Sequence, residues 1–286
     1  MSPATSLVAL HVAVALFGFA GLFGKWLALS ATAIVFGRCV VAAGVLALLA
    51  GLRPRERTGP TWSLAGNGVI LAVHWVTFFA AIQVSTVTLG LLGFASFPVF
   101  VLALEWLLAQ RRWHVADAAI AMLAVVGLGL LVPDLDFASN AWRGLALGML
   151  SGLTFALLAV RNRALAKTVS ASVLALWQNV FAALCLLPIL AWQRGAGAPI
   201  TASDIGLLLL LGILCTALAH TLFIASLRHL SAHTASVVAA LEPVYGIGLA
   251  AVLLHEIPDL RACAGAVLLL VAAIMASWRS VAPPAG

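Results

Sequence analysis

The sequence predicts an all-α integral membrane protein of ten transmembrane helices, arranged as two inverted five-helix repeats. Three observations predict it. Hydrophobic residues make up 64% of the 286-residue chain and charged residues 8%, at a mean hydropathy of +1.16. A soluble domain carries about 25% charged residues, so this surface does not face water. The apolar residues fall into ten runs of about 20 residues, the length that crosses a hydrocarbon core. The second half also repeats the first at an offset of about 145 residues. Strands are excluded because the runs are too long and too rich in Leu and Ala.

The ten spans are expected at 6–28, 33–52, 63–83, 86–108, 114–132, 143–164, 170–191, 203–226, 232–254 and 260–279. Span 1 has no Lys or Arg before Lys25, so it lacks the basic leader of a cleavable signal peptide and reads as a true span. Span 2 ends at Arg53-Pro-Arg-Glu-Arg-Thr-Gly-Pro60, where charges and prolines stop a helix. Spans 3 and 4 meet at the polar Gln83-Val-Ser-Thr86, and span 4 runs to Gln110-Arg-Arg-Trp-His114. Pro133-Asp-Leu-Asp136 closes span 5, and Arg161, Arg163 and Lys167 mark the end of span 6. Gly195-Ala-Gly-Ala-Pro199 follows span 7, Arg228-His-Leu-Ser231 follows span 8, and His255-Glu-Ile-Pro-Asp259 separates spans 9 and 10.

Loop charge sets the orientation. The loops after spans 2, 4, 6 and 8 carry Arg53, Arg55, Arg57, Arg111, Arg112, Arg161, Arg163, Lys167 and Arg228. The opposite loops carry Arg143, Arg194 and Arg261, diluted by Asp134, Asp136, Asp204, Glu256 and Asp259. The positive-inside rule places the first set, and both termini, in the cytoplasm of a bacterial-type inner membrane. Trp62, Trp106, Trp113, Trp142, Trp192 and Trp278 fall near span ends, where an aromatic belt lies. The net charge of +6 follows from this topology, and no basic patch interleaved with exposed aromatics points to nucleic acid. Cys39, Cys185, Cys215 and Cys263 lie in separate apolar runs without metal or redox spacing.

The repeat is clearest where AAIQVSTVTLGLLGFASFPVFVLALEWLLAQRR (80–112) aligns with ASLRHLSAHTASVVAALEPVYGIGLAAVLLHEI (225–257). Pro98 meets Pro243, Val99 meets Val244, and Phe100 meets Tyr245. Five spans is an odd number, so the second repeat is inverted in the membrane, a plan known in secondary transporters. The loops agree: the basic 110–114 segment corresponds to the acidic 255–259 segment, and the neutral 83–86 segment to the basic 228–231 segment. The halves divide at 1–137 and 138–286.

On these motifs the chain resembles the drug/metabolite transporter superfamily, in particular its ten-helix EamA-type exporters. FPVFVLALEWLLAQ and EPVYGIGLAAVLLHE match the Pro-Val-aromatic motif that those proteins carry in the fourth span of each repeat, often followed by Gly-Glu. The chain departs in having Gln110-Arg111 in the first copy and His255 for the glycine in the second. Arg38, in FGRCVVAAG, matches an arginine common in span 2. Within the superfamily the layout is most similar to aromatic amino-acid exporters of the YddG type. The resemblance implies a basket-like bundle whose central cavity opens alternately to each side.

Ionisable groups inside a membrane are functional candidates, because hydrocarbon penalises each by about 2.5–3.5 kcal/mol or more. Glu242, beside Pro243 in span 9, either stabilises a helix break or serves transport by meeting a substrate ammonium or carrying a proton. Arg38 pairs with an acid or with carbonyls, or snorkels to the outer interface. Lys25 is expected to snorkel, and Glu105 to pair with Arg111 and Arg112. His74, Trp75, Phe78 and Phe79 occupy mid-span 3, and the repeat sets Trp75 against His220 and Phe78 against Phe223 in span 8. These residues are expected to line the cavity and bind substrate. Phe94, Phe97, Trp177, Gln178, Asn179 and Tyr245 join them as further substrate-binding candidates, and Pro98 and Pro243 are the expected hinges.

His229 and His233 have HxxxH spacing without a third ligand, so no metal is expected, and no cofactor is implied. No Walker A, GxGxxG or GxSxG sequence occurs, which leaves ATP-driven transport and serine hydrolysis without a motif. The expectation is therefore a non-enzymatic secondary exporter, monomeric in the lipid bilayer. Its small-molecule substrate is expected to be an amino acid with aromatic preference, the alternative being broad-specificity drug or metabolite efflux.

Overall fold

Helices account for every span, and their ends are set by local chemistry. The structure, a computed structural model, describes residues 3–51, 61–108, 115–130, 140–193, 200–230 and 241–279, together with Ala235, Val238 and Ala239. Its helices are α1 (Pro3–Trp26), α2 (Ala31–Gly51), α3 (Trp62–Val84), α4 (Val87–Phe94), α5 (Phe97–Leu107), α6 (Val115–Leu130), α7 (Asn140–Leu165), α8 (Ala171–Trp192), α9 (Ala202–Gly212), α10 (Ala219–Ser226), α11 (Glu242–Leu253) and α12 (Leu260–Arg279). A π-helical segment, Ile213–Leu218, joins α9 to α10. Thr61, Thr86 and Ser170 cap α3, α4 and α8 by accepting from the backbone N–H three residues on. Thr201 and Asp204 form a reciprocal capping box at α9.

Among the described residues, seven helical stretches are long and apolar enough to cross a membrane, and the shorter apolar helices α6, α11 and α12 take the places of spans 5, 9 and 10. Two spans expected to be continuous are interrupted. Span 4 breaks at Ala95-Ser96, one turn before Pro98. Proline has no N–H to donate and its ring clashes with the carbonyl four residues back, here that of Phe94. Span 8 widens into the π segment. Of span 9, the described helix begins at Glu242, again with its proline in the first turn.

Packing across the halves follows a pseudo-two-fold. α1 packs on α11 and α10, while its counterpart α7 packs on α4 and α3. α2 faces α8, and α6 faces α12, each beside its own counterpart. Glycines allow the closest crossings. A Cβ on Gly18 of α1 would sit 2.9 Å from both the Glu242 carbonyl oxygen and the Gly246 nitrogen of α11. On the opposite side, a Cβ on Gly148 of α7 would sit 2.8 Å from the Gly90 carbonyl oxygen and 3.0 Å from the Gly93 Cα of α4. The chain is thus an all-α bundle of ten membrane helices in two inverted five-helix repeats. Its outer surface is apolar, and Trp62 and Trp192 stand 94% and 90% exposed at span ends.

Candidate functional site

Where the two halves meet, α1, α2, α3, α4, α7, α10 and α11 enclose a cavity. Phe17 comes from α1, Arg38 from α2, and Leu71, His74, Trp75 and Phe78 from α3. Phe94 ends α4, Phe155 comes from α7, His220 from α10 and Glu242 from the first turn of α11. The walls are close, leaving room for about one water molecule. The rings of Phe155 stand 4.9 Å from His74 and 5.3 Å from both Phe94 and Phe223. Offset and tilted contacts at such distances are the favoured aromatic geometries.

Arg38 is 1% exposed, and Glu242 is 3% exposed. The arginine does not snorkel. Its Nε donates to Thr216 Oγ1 at 2.8 Å and its Nη2 to the Cys215 carbonyl at 3.1 Å. Both acceptors lie in the π segment, whose wider turns disturb the usual helical bonding. Thr216 Oγ1 itself donates to the Leu211 carbonyl at 2.9 Å. Gly212 brings this turn against α2, since a Cβ there would lie 2.5 Å from the Val41 side chain. The guanidinium carbon stands 3.9 Å above the Trp75 ring, a cation–π contact that fixes its remaining face.

The two histidines are held from opposite sides. His74 Nδ1 lies 3.0 Å from the Ser151 carbonyl and 2.8 Å from Ser151 Oγ. A carbonyl can only accept, so this contact places the proton on Nδ1. His220 Nε2 donates to Gln178 Oε1 at 2.9 Å, and Gln178 Nε2 donates to Asn162 Oδ1 at 2.6 Å. Asn67 Nδ2 reaches the same oxygen at 2.9 Å, and Arg161 Nε donates to Asn67 Oδ1. This chain of bonds ties α3, α7, α8 and α10 together between the cavity and the Arg161 end of the bundle.

Other contacts tie the connections at the opposite end of the bundle. Lys25 Nζ donates to the Ser85 carbonyl at 2.7 Å, and Gln83 Nε2 to the Leu29 carbonyl at 2.8 Å. Lys25 therefore ties span 1 to the turn between spans 3 and 4, where simple snorkelling was expected. Glu256 Oε2 accepts from the Val87 N–H at 2.9 Å, so a carboxylate from the second half caps α4 in the first.

Of the residues singled out by sequence, His74, Trp75, Phe78, Phe94, His220 and Glu242 line the cavity. Phe97 stacks on Phe94 at 5.5 Å, Phe79 lies 5.5 Å from the Arg38 guanidinium, Phe223 backs Phe155, and Gln178 braces His220. Three stand elsewhere. Trp177 packs on Phe181 at 5.9 Å, Asn179 Nδ2 donates within its own helix to Ala175, and Tyr245 is 38% exposed on the outer side of α11. Pro98 and Pro243 sit in the first turns of α5 and α11. Glu105, Arg111, Arg112 and His233 fall outside the described side chains, and no group of three or more His, Cys, Asp or Glu fit for a metal occurs among the described residues.

The chain matches the EamA-like transporter family over residues 5–132 and 142–278. It belongs to that family. Two relatives from Bacillus subtilis (strain 168) are described as uncharacterized transporters. YwfM is 26% identical over 224 residues, covering 75% of this chain and 74% of its own, and YxxF is 24% identical over 277 residues, covering 93% and 87%. A solved structure titled "Crystal structure of protein" superposes with a TM-score of 0.68 at 18% identity, covering 98% of this chain and 99% of its own, which shows the fold.

As an EamA-like transporter the chain has a physical reason for one of its departures. His255, where the family often has glycine, adopts φ 57° just past the end of α11. That left-handed conformation favours glycine, with histidine among the side chains that tolerate it. Sequence reasoning left out Phe17, Leu71 and Phe155, which carry no charge or repeat signal, and left Arg38 undecided. A larger apolar groove between α4, α11 and α12, lined by Leu92, Pro243, Ile247 and Ala266 among others, opens on the outer surface. It offers no charged side chain to orient a ligand, which leaves the inner cavity as the candidate site.

Proposed function

We propose that this EamA-like transporter is a secondary exporter that moves amino acids, with a preference for aromatic ones, across the inner membrane by alternating access, its termini in the cytoplasm. The observation that carries the reading is the cavity between the inverted repeats, walled by Phe17, Trp75, Phe78, Phe94 and Phe155 and floored by polar groups. Aromatic walls remove the apolar part of a ligand from water, and a few fixed polar groups set its orientation. The proline-led helices α5 and α11 supply places to bend. The test is uptake of labelled Phe, Trp or Thr into liposomes holding the purified protein, competed by each of the twenty amino acids. Saturable uptake blocked best by Phe, Trp or Tyr supports the reading. Failure with every amino acid, alongside transport of a cationic drug or nucleotide sugar, refutes it in favour of broad efflux.

A further inference from the structure

We infer that Arg38 and Glu242 form a two-point clamp for the zwitterionic head of the substrate, the guanidinium taking its carboxylate and the Glu242 carboxylate its ammonium. The inference rests on the reading of the cavity as an amino-acid site and names the groups that would make it one.

Two buried ionisable side chains share the cavity without joining. Arg38 comes from α2 and Glu242 from α11; both line the same cavity, yet no direct ion pair joins them among the described residues. Isolated buried charges are costly, and a pair is favourable only when its geometry is good and its remaining hydrogen-bonding capacity is filled. Here that capacity is unfilled on both sides. Arg38 spends two N–H groups on Thr216 and Cys215 and leaves the rest of its donor fork to the cavity. Glu242 makes no hydrogen bond to any described residue, and its carboxylate stands at the N-terminus of α11, where a negative charge is favoured.

The other polar groups of the cavity are neutral side chains partly committed to the scaffold, His74 through Nδ1 to Ser151 and His220 through Nε2 to Gln178. Arg38 is also held rigidly, with the π segment on one side and the Trp75 ring on its face. A guanidinium fixed in this way offers a planar fork to a carboxylate. An α-amino acid carries both complementary charges on one carbon, and its side chain would lie against the aromatic walls once the cavity widens. A simple cation would satisfy Glu242 and leave Arg38 unpaired, and a simple anion would do the reverse. The clamp therefore selects against both.

The experiment compares L-phenylalanine with phenethylamine, which lacks the carboxylate, and 3-phenylpropionate, which lacks the amine. Each competes against labelled L-phenylalanine uptake in liposomes, and each is titrated by calorimetry into the detergent-purified full chain. Losing one charged hydrogen-bond partner is expected to weaken binding about tenfold or more. Arg38→Gln is expected to bind phenethylamine as well as L-phenylalanine, and Glu242→Gln to bind 3-phenylpropionate as well as L-phenylalanine. Discrimination that survives Arg38→Gln in a monodisperse protein overturns the clamp. Should that variant not fold, the wild type decides: either one-charge analogue binding as tightly as L-phenylalanine overturns it. A wild type that transports L-phenylalanine without discriminating sinks the clamp alone, whereas one that transports no amino acid sinks the functional reading with it.

Discussion

Alanine substitution of three glycines tests whether the crossing of α1 and α11 is as tight as its geometry indicates. A Cβ on Gly18 would meet two backbone atoms at 2.9 Å and the Tyr245 Cβ at 3.0 Å. None of these can move without shifting α11, because two are backbone and the third is fixed to it. On Gly246 the same atom would lie 2.4 Å from a Leu91 side-chain carbon, which can rotate away, and 3.1 Å from the Gly18 carbonyl oxygen. On Gly248, one half-turn along the same helix, it would meet nothing within 4 Å. Overpacking costs about 1–3 kcal/mol, while Gly→Ala in an open helix gains up to about 1 kcal/mol. Gly18→Ala is thus expected to be less stable than Gly248→Ala by roughly 1–4 kcal/mol. At about 2–4 °C per kcal/mol for a chain near this size, the difference in unfolding temperature is several degrees. The assay is thermal unfolding of the detergent-purified variants followed by the monodisperse fraction on size exclusion, with Gly246→Ala expected between the two. Equal melting of Gly18→Ala and Gly248→Ala would show that the helices do not cross as closely as the structure has them.

Four further outcomes follow from single contacts. His255→Gly relieves a left-handed side-chain residue and is expected to raise stability by about 1 kcal/mol, read as a higher unfolding temperature; a lower one contradicts the assignment of φ 57°. Glu256→Ala removes the carboxylate on Val87 N–H and is expected to cost about 1 kcal/mol, whereas Glu256→Gln, which keeps an acceptor, costs less. Asn162→Leu strands the amides of Asn67 and Gln178 and is expected to destabilise by about 2 kcal/mol or more, with melting unchanged if the network is not formed. Exposed Cys263, near the outer end of span 10, is expected to react with a membrane-impermeant maleimide added to intact cells, while buried Cys39 and Cys215 do not; labelling only after permeabilisation would invert the proposed orientation.

Span positions were readable because bilayer thickness imposes a length and loop charge marks the ends. The break in span 4 and the start of the described helix of span 9 fall beside prolines visible in the sequence, although the sequence does not name the residue at which either helix begins. The π segment was invisible, since Ile213–Leu218 is apolar and periodic like its neighbours. Periodicity finds a face but not what the face meets. His74 and Trp75 stand out in the sequence because polarity in mid-membrane is rare, and both line the cavity; Trp177 and Asn179 stand out by the same rule and contact Phe181 and Ala175 of their own helix. Phe155 escaped because one phenylalanine among many apolar residues carries no signal. It becomes central only when α7 packs against α3 and α4.

The repeat explains why the two charges of the cavity arise where they do. An inverted repeat supplies matched positions on both sides of a pseudo-two-fold, and matched positions holding the same residue would give a symmetric site. An α-amino acid has no such symmetry. In the alignment Glu242 faces Phe97, and Arg38 faces Gln178. In the structure Phe97 stacks on Phe94 while Glu242 turns a carboxylate into the cavity. Gln178 braces His220, while Arg38 reaches the cavity over the Trp75 ring. The scaffold proline Pro98 keeps its counterpart, Pro243, across the axis. The chain departs from symmetry at the two residues that would have to tell one end of a substrate from the other, and each half contributes one of them. If so, removing the charge of one member alone, as Glu242→Gln, should weaken phenylalanine binding about tenfold or more while leaving the folded fraction intact. Retained binding would mean that the asymmetry serves packing and not recognition.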